Sequence, residues 1–127
     1  MGRLLIIFLI LVGAGLYFDE SRARIVDFVQ PALNPAYGWV TRGEMRQMVR
    51  DLEDADRMDR FPQAREFDLW MARRYPRLES RRDSWSTPYR LQATGQSFTV
   101  ISAGPDGVFG TADDLEIVGT RAPRRAR

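Results

Sequence analysis

The chain has no cysteine, no histidine and, among its 19 basic residues, no lysine. Without cysteine there is neither a disulfide framework nor thiol chemistry. Without histidine, the Ser-His-Asp and Cys-His forms of nucleophilic catalysis are excluded. A zinc site would have to be built from carboxylates alone, unlike the Cys/His sets of structural zinc. A large charge excess is also missing. Nineteen arginines face 17 acids, a balance of +2, so no broad field draws the chain to nucleic acid. With 127 residues there is room for one small domain. Much of the basic excess sits in the tail, at Arg121, Arg124, Arg125 and Arg127, and residues 121–127 read as a solvated, disordered end.

One long uncharged run is present, LLIIFLILVGAGLYF at residues 4–18. As a helix it is roughly 22 Å long, short of the ~30 Å core of a bilayer. Tyr17 and Phe18 suit one membrane interface, and Arg3 with the terminal amine suits the other. Two readings compete: an uncleaved transmembrane signal anchor over residues 1–18, and a signal peptide cut after Ala14. The shortness of such a peptide, and the apolar residues beyond the cut, favour the anchor. Arg22 and Arg24 follow the span, but Asp19 and Glu20 intervene, so the charge rule alone does not set orientation.

The middle of the chain reads as helix with breaks. Residues 20–30 carry Ile25, Val26, Phe28 and Val29 at helical spacing. Pro31 and Pro35 are then expected to stop or kink the helix, making 19–40 a helical and linker segment. Thr41-Arg42-Gly43-Glu44 fits a capping box that would open a new helix. Behind it Met45, Met48, Val49, Leu52 and Ala55 form an apolar stripe, the methionines as core filler. Glu53, Asp54, Asp56 and Asp59 fall on the wet face, and nothing in their spacing marks catalysis. Phe61-Pro62 is a turn. Phe67, Trp70 and Met71 line one side of a second, shorter helix that Tyr75-Pro76 ends.

The C-terminal part reads as strands. YRLQA alternates, Thr94-Gly95-Gln96 turns, SFTVISA is a central strand and LEIVG a third. The fold class expected is α+β: a membrane helix, then helices on a three-stranded antiparallel sheet spanning 41–120. The second and third strands are joined by a loop longer than the usual hairpin connection of ~2–5 residues. It gathers Asp106, Asp113 and Asp114 among Gly104, Gly107 and Gly110. Converging carboxylates raise one another's pKa and push a loop open. A hard dication reverses that sign, and calcium takes about six to eight oxygens, backbone carbonyls included. The alternative is a GPDG turn followed by a solvated acidic pair.

The stretch DSWSTPYRLQATGQSFTVISAGPDGVFGTADDLEI resembles the C-terminal region of the type II secretion major pseudopilins, the protein G family. Asp83, Trp85, Pro88 and Tyr89 match that family's D-P-W-G-x-P-Y segment, with Ser84 and Ser86 in place of its proline and glycine. Ser102, Gly104, Asp106, Gly107, Asp113 and Asp114 match its S-L-G-x-D-G and D-D elements. The family loop binds one calcium ion. Carried over by position, the ligands are the Ala103 and Val108 carbonyls and the side chains of Asp106, Asp113 and Asp114. The resemblance covers about a third of the chain.

The N-terminal half departs from the family. Gly2 is followed by RLLII, with no Phe-Thr and no glutamate inside the apolar run, and two prolines interrupt what the family has as one long helix. The resemblance implies a calcium-stabilised, non-enzymatic structural or interaction protein of a type II secretion or pilus-like system. It would be a single-pass inner-membrane protein with its C-terminal domain outside the cytoplasm, where calcium is plentiful. Its partners would be the membrane and other pseudopilin or secretion-system proteins, with no nucleic acid and no small-molecule substrate. It is expected to keep its N-terminus and to form no filament alone. The other reading is a secreted or surface calcium-binding module unrelated to pilins. A helix packed on three strands favours the first, and calcium loops stacked on one another favour the second.

Overall fold

In the computed structural model the described residues are 19–123, with side chains from residue 33 onward. The apolar run at 4–18 and the arginines at 124, 125 and 127 lie outside them. Two compact units are distinguished, Met1–Pro35 and Ala36–Arg127. Helix α1 spans Asp19–Arg57, so neither Pro31 nor Pro35 ends it. A helix-interior proline costs ~3 kcal/mol through a lost N–H and a ring clash with the carbonyl four residues back. Here the carbonyl that Pro35 leaves unbonded is that of Pro31 itself, so both defects fall on one side of the helix. Pro35 is exposed. Within the second unit, the burial of Thr41, Met45, Met48, Val49 and Leu52 holds the continuing helix in place.

Thr41 is therefore mid-helix, not a cap. It is fully buried, and its hydroxyl donates to Ser84 Oγ at 2.8 Å and accepts from Ser84 N–H at 3.2 Å. Glu44 likewise turns to tertiary work, accepting the Tyr89 hydroxyl at 2.8 Å. Burial, and then Glu44, push the Tyr89 phenol well above the usual range.

Helix α2 (Phe67–Arg74) buries Phe67 and Met71, with Trp70 packed at the margin. Three strands follow, β1 (Arg90–Ala93), β2 (Ser97–Ser102) and β3 (Leu115–Thr120). They pair antiparallel in the order β1-β2-β3. The register aligns Leu91, Val100 and Ile117 across one face. With Phe98 and Tyr89 that face meets the methionine stripe of α1 and the apolar side of α2 in a single core. The α+β expectation, helices on a three-stranded antiparallel sheet, holds for this unit. Its membrane helix falls on residues outside those described, and among the described residues no helix is long and apolar enough to cross a membrane.

Two ion pairs pin the periphery. Asp51 accepts two hydrogen bonds from Arg74, at 3.0 and 3.2 Å, and others from the Tyr75 hydroxyl and Gln47. Asp56 accepts from Arg121 at 3.0 Å and from the Ala122 N–H at 2.6 Å, while the Arg121 guanidinium lies 4.3 Å over the Phe61 ring. The Asp56 side chain is only 8% exposed and that of Arg121 16%. Asp56 thus leaves the wet face, and Arg121 and Ala122 are tied down where a disordered tail was expected. The reason is tertiary: β3 ends beside the last turns of α1, where Glu53 also accepts the Thr120 N–H.

Candidate metal centre

The β2–β3 connection, residues 103–114, is shaped by short-range bonds that its sequence dictates. Gly104 and Gly110 take positive φ, 66° and 89°, a region open to glycine at little steric cost. At Gly104 there is a second reason. A Cβ there would lie 2.1 Å from the Asp113 carbonyl oxygen, so the two ends of the loop close on each other at this neck. Above it the Gly107 N–H donates to the Gly104 carbonyl at 3.2 Å, and Asp106 Oδ1 accepts the Val108 N–H at 2.9 Å, an Asx turn. The Thr111 hydroxyl donates to the Val108 carbonyl at 3.2 Å. Over the apex, the Arg90 guanidinium sits 3.8 Å from the Phe109 ring centroid.

A second segment anchors the neck from outside the loop. Asp83 is 5% exposed. Its Oδ1 accepts the Trp85 and Thr87 N–H groups at 3.0 and 2.8 Å, and its Oδ2 accepts the Ser102 hydroxyl at 2.6 Å. Ser102 Oγ in turn accepts the Gly104 N–H at 3.1 Å. The DSWST segment thus holds the β2 end of the loop, and Ser84 ties the same segment to Thr41 and to the Tyr37 carbonyl of α1. Asp83 and Ser102 were legible only as matching letters. The local sign of their role is an aspartate two and four residues ahead of amides it can accept.

The expected ligands are placed as follows. Ala103 is fully buried, while Asp106, Val108 and Asp113 are exposed. Asp114 is half-buried, and its Oδ2 accepts the Gly110 N–H at 2.8 Å. Its Oδ1 is buried with no hydrogen-bond partner among the described residues. The neck brings Asp113 beside Gly104, next in chain to Ala103, and the turn brings Asp106 beside Val108. Among the described residues no three carboxylates are gathered closely enough to hold a metal, so Asp106, Asp113 and Asp114 do not form such a group by themselves. The orphaned Asp114 oxygen tests the fit. A buried carboxylate oxygen with no donor carries a desolvation cost, and no hydrogen bond from the described residues offsets it. A hard cation offsets it, and an all-oxygen set of carboxylates and carbonyls is the chemistry calcium takes.

Comparison of the chain with protein-family models, characterised proteins and solved structures gives no match.

Proposed function

We propose that the protein is a membrane-anchored, calcium-stabilised, pseudopilin-like structural or interaction protein of a type II secretion or pilus-like system. The observation that carries the calcium part is the buried, unpartnered Asp114 Oδ1 in a loop whose neck is closed by Gly104 and Asp113. Ala103, Asp106, Val108, Asp113 and Asp114 hold the ion, and it serves to order the loop. The pseudopilin part is supported by a helix packed on a three-strand meander with its long loop between the last two strands. The unbroken α1 removes one of the departures from that family. The reading of residues 1–18 as a single inner-membrane span, with the head outside the cytoplasm, rests on the apolar run and on the calcium supply a modest site needs.

A structural rather than catalytic role is supported by the most perturbed side chains. Burial raises the Asp51 pKa, but hydrogen bonds from Arg74 and Tyr75 and the Arg74 charge outweigh it and leave the group low. Burial and Asp51 push the Tyr75 phenol well up. A carboxylate held ionised against a phenol held protonated is a clamp, inert at neutral pH. Calorimetric titration with calcium tests the proposal: one ion per chain is expected, and no binding at millimolar calcium contradicts it.

A further inference from the structure

One face of α1 within the second unit has no partner among the described residues. Trp39 is 75% exposed and Val40 45%. Below them Arg42, Arg46 and Arg50 follow at intervals of four residues, all exposed. Like charges four apart on a helix repel, and soluble helices ordinarily place carboxylates between them. Here the residues three and four positions from Arg42 and Arg46 include no acid. Arg50 donates to Gln47 at 2.7 Å, while Asp54, four residues on, pairs with Arg57 instead. Gly43 lies amid this stripe, and a Cβ there would meet nothing within 4 Å. Glycine weakens a helix relative to alanine, and no close contact among the described residues accounts for it.

An exposed tryptophan, an unneutralised arginine row and a helical glycine with open space converge on one side of three turns. We infer that this side docks an acidic helix of another protein. Carboxylates at i, i+4 and i+8 of the partner match the ~6 Å repeat of the arginines, whose planar forks pair carboxylates two bonds at a time. Trp39 supplies the apolar anchor. Gly43 lets a backbone approach closely, which serves a helix and gives a bilayer surface nothing. The inference names partner chemistry and does not depend on calcium.

The test uses the full chain in native membranes with a photo-crosslinking residue at Val40, and peptide-level identification of the adduct. The expected adduct is an acidic helical segment of a different protein. Its yield falls at least tenfold with Arg46→Glu and with Trp39→Ala, and is unchanged by Arg65→Glu on α2's flank. Gly43→Leu lowers the yield likewise while the melting temperature holds or rises, separating docking from folding. A lipid adduct, an adduct to a second copy of this chain, an adduct to a segment without acidic residues, indifference to Arg46→Glu, or no adduct overturns it.

Discussion

Substituting Gly104 by alanine tests whether the loop is closed at the neck described above. Two costs combine. An L-residue at φ 66° costs roughly 1–2 kcal/mol. The new Cβ lies 2.1 Å from the Asp113 carbonyl oxygen, against an ordinary contact of 3.4 Å or more, so the neck must open by about 1 Å. Overpacking of that kind costs about 1–3 kcal/mol. Together they predict a loss of roughly 2–5 kcal/mol, or a fall in melting temperature on the order of 10 °C or more. Gly110→Ala separates the two contributions. Its φ is 89° but nothing lies within 4 Å, so only the conformational cost applies, about 1 kcal/mol after the smaller unfolded-state entropy of alanine. Urea unfolding of both variants, followed by circular dichroism, measures the difference, with the slope expected to stay constant. Equal losses at the two positions, or a neutral Gly104→Ala, would refute the closed neck.

Asp83→Ala should be among the most destabilising single changes. It removes the acceptor of three hydrogen bonds and strands two amides and a hydroxyl, a loss of about 3–5 kcal/mol by urea unfolding; Ser102→Ala should lose about 1–2 kcal/mol. A loss under ~1 kcal/mol for Asp83→Ala would place the anchor elsewhere. The Asp51 clamp has a pH signature. Its folded pKa is depressed below the ordinary 3.8, so its contribution is fully present above that value and is lost as pH falls through the folded pKa. Asp51→Asn should therefore be less stable at pH 7 and show a shallower acid limb in melting temperature between about pH 5 and 2. Parallel curves for the two proteins would contradict the clamp.

The strands and the second helix were readable in the sequence because alternation and helical spacing report directly on which face is buried. Leu91, Phe98 and Val100 could only face one way, and Phe67 with Met71 likewise. The course of α1 was not readable, since Pro31 and Pro35 break helices on average, and the burial of Thr41, Met45, Met48, Val49 and Leu52 that holds this one is made by segments distant in sequence. Thr41 carries every mark of a cap, and only Ser84, 43 residues away in sequence, shows what its hydroxyl does. The same distance hid Asp56, which looked wet until Arg121, 65 residues on, came to lie against it. In the loop, aspartates and glycines were visible as a set. Which oxygen lacks a partner was not, because that depends on Asp114 spending its other oxygen on the Gly110 amide.

The central claim is that a calcium ion orders the 103–114 loop, and a calcium titration of the Ala36–Arg127 unit, read by calorimetry and melting, tests it most directly. One ion should bind per chain. At a hundredfold excess over Kd the stabilisation is ~2.7 kcal/mol, a rise in melting temperature on the order of 10 °C that chelator reverses and magnesium reproduces poorly. Asp114→Ala should abolish most of the rise, and Asp68→Ala, exposed on α2, should leave it intact. No heat at millimolar calcium, together with a melting temperature indifferent to chelator, would contradict the account and return the three aspartates to a solvated turn.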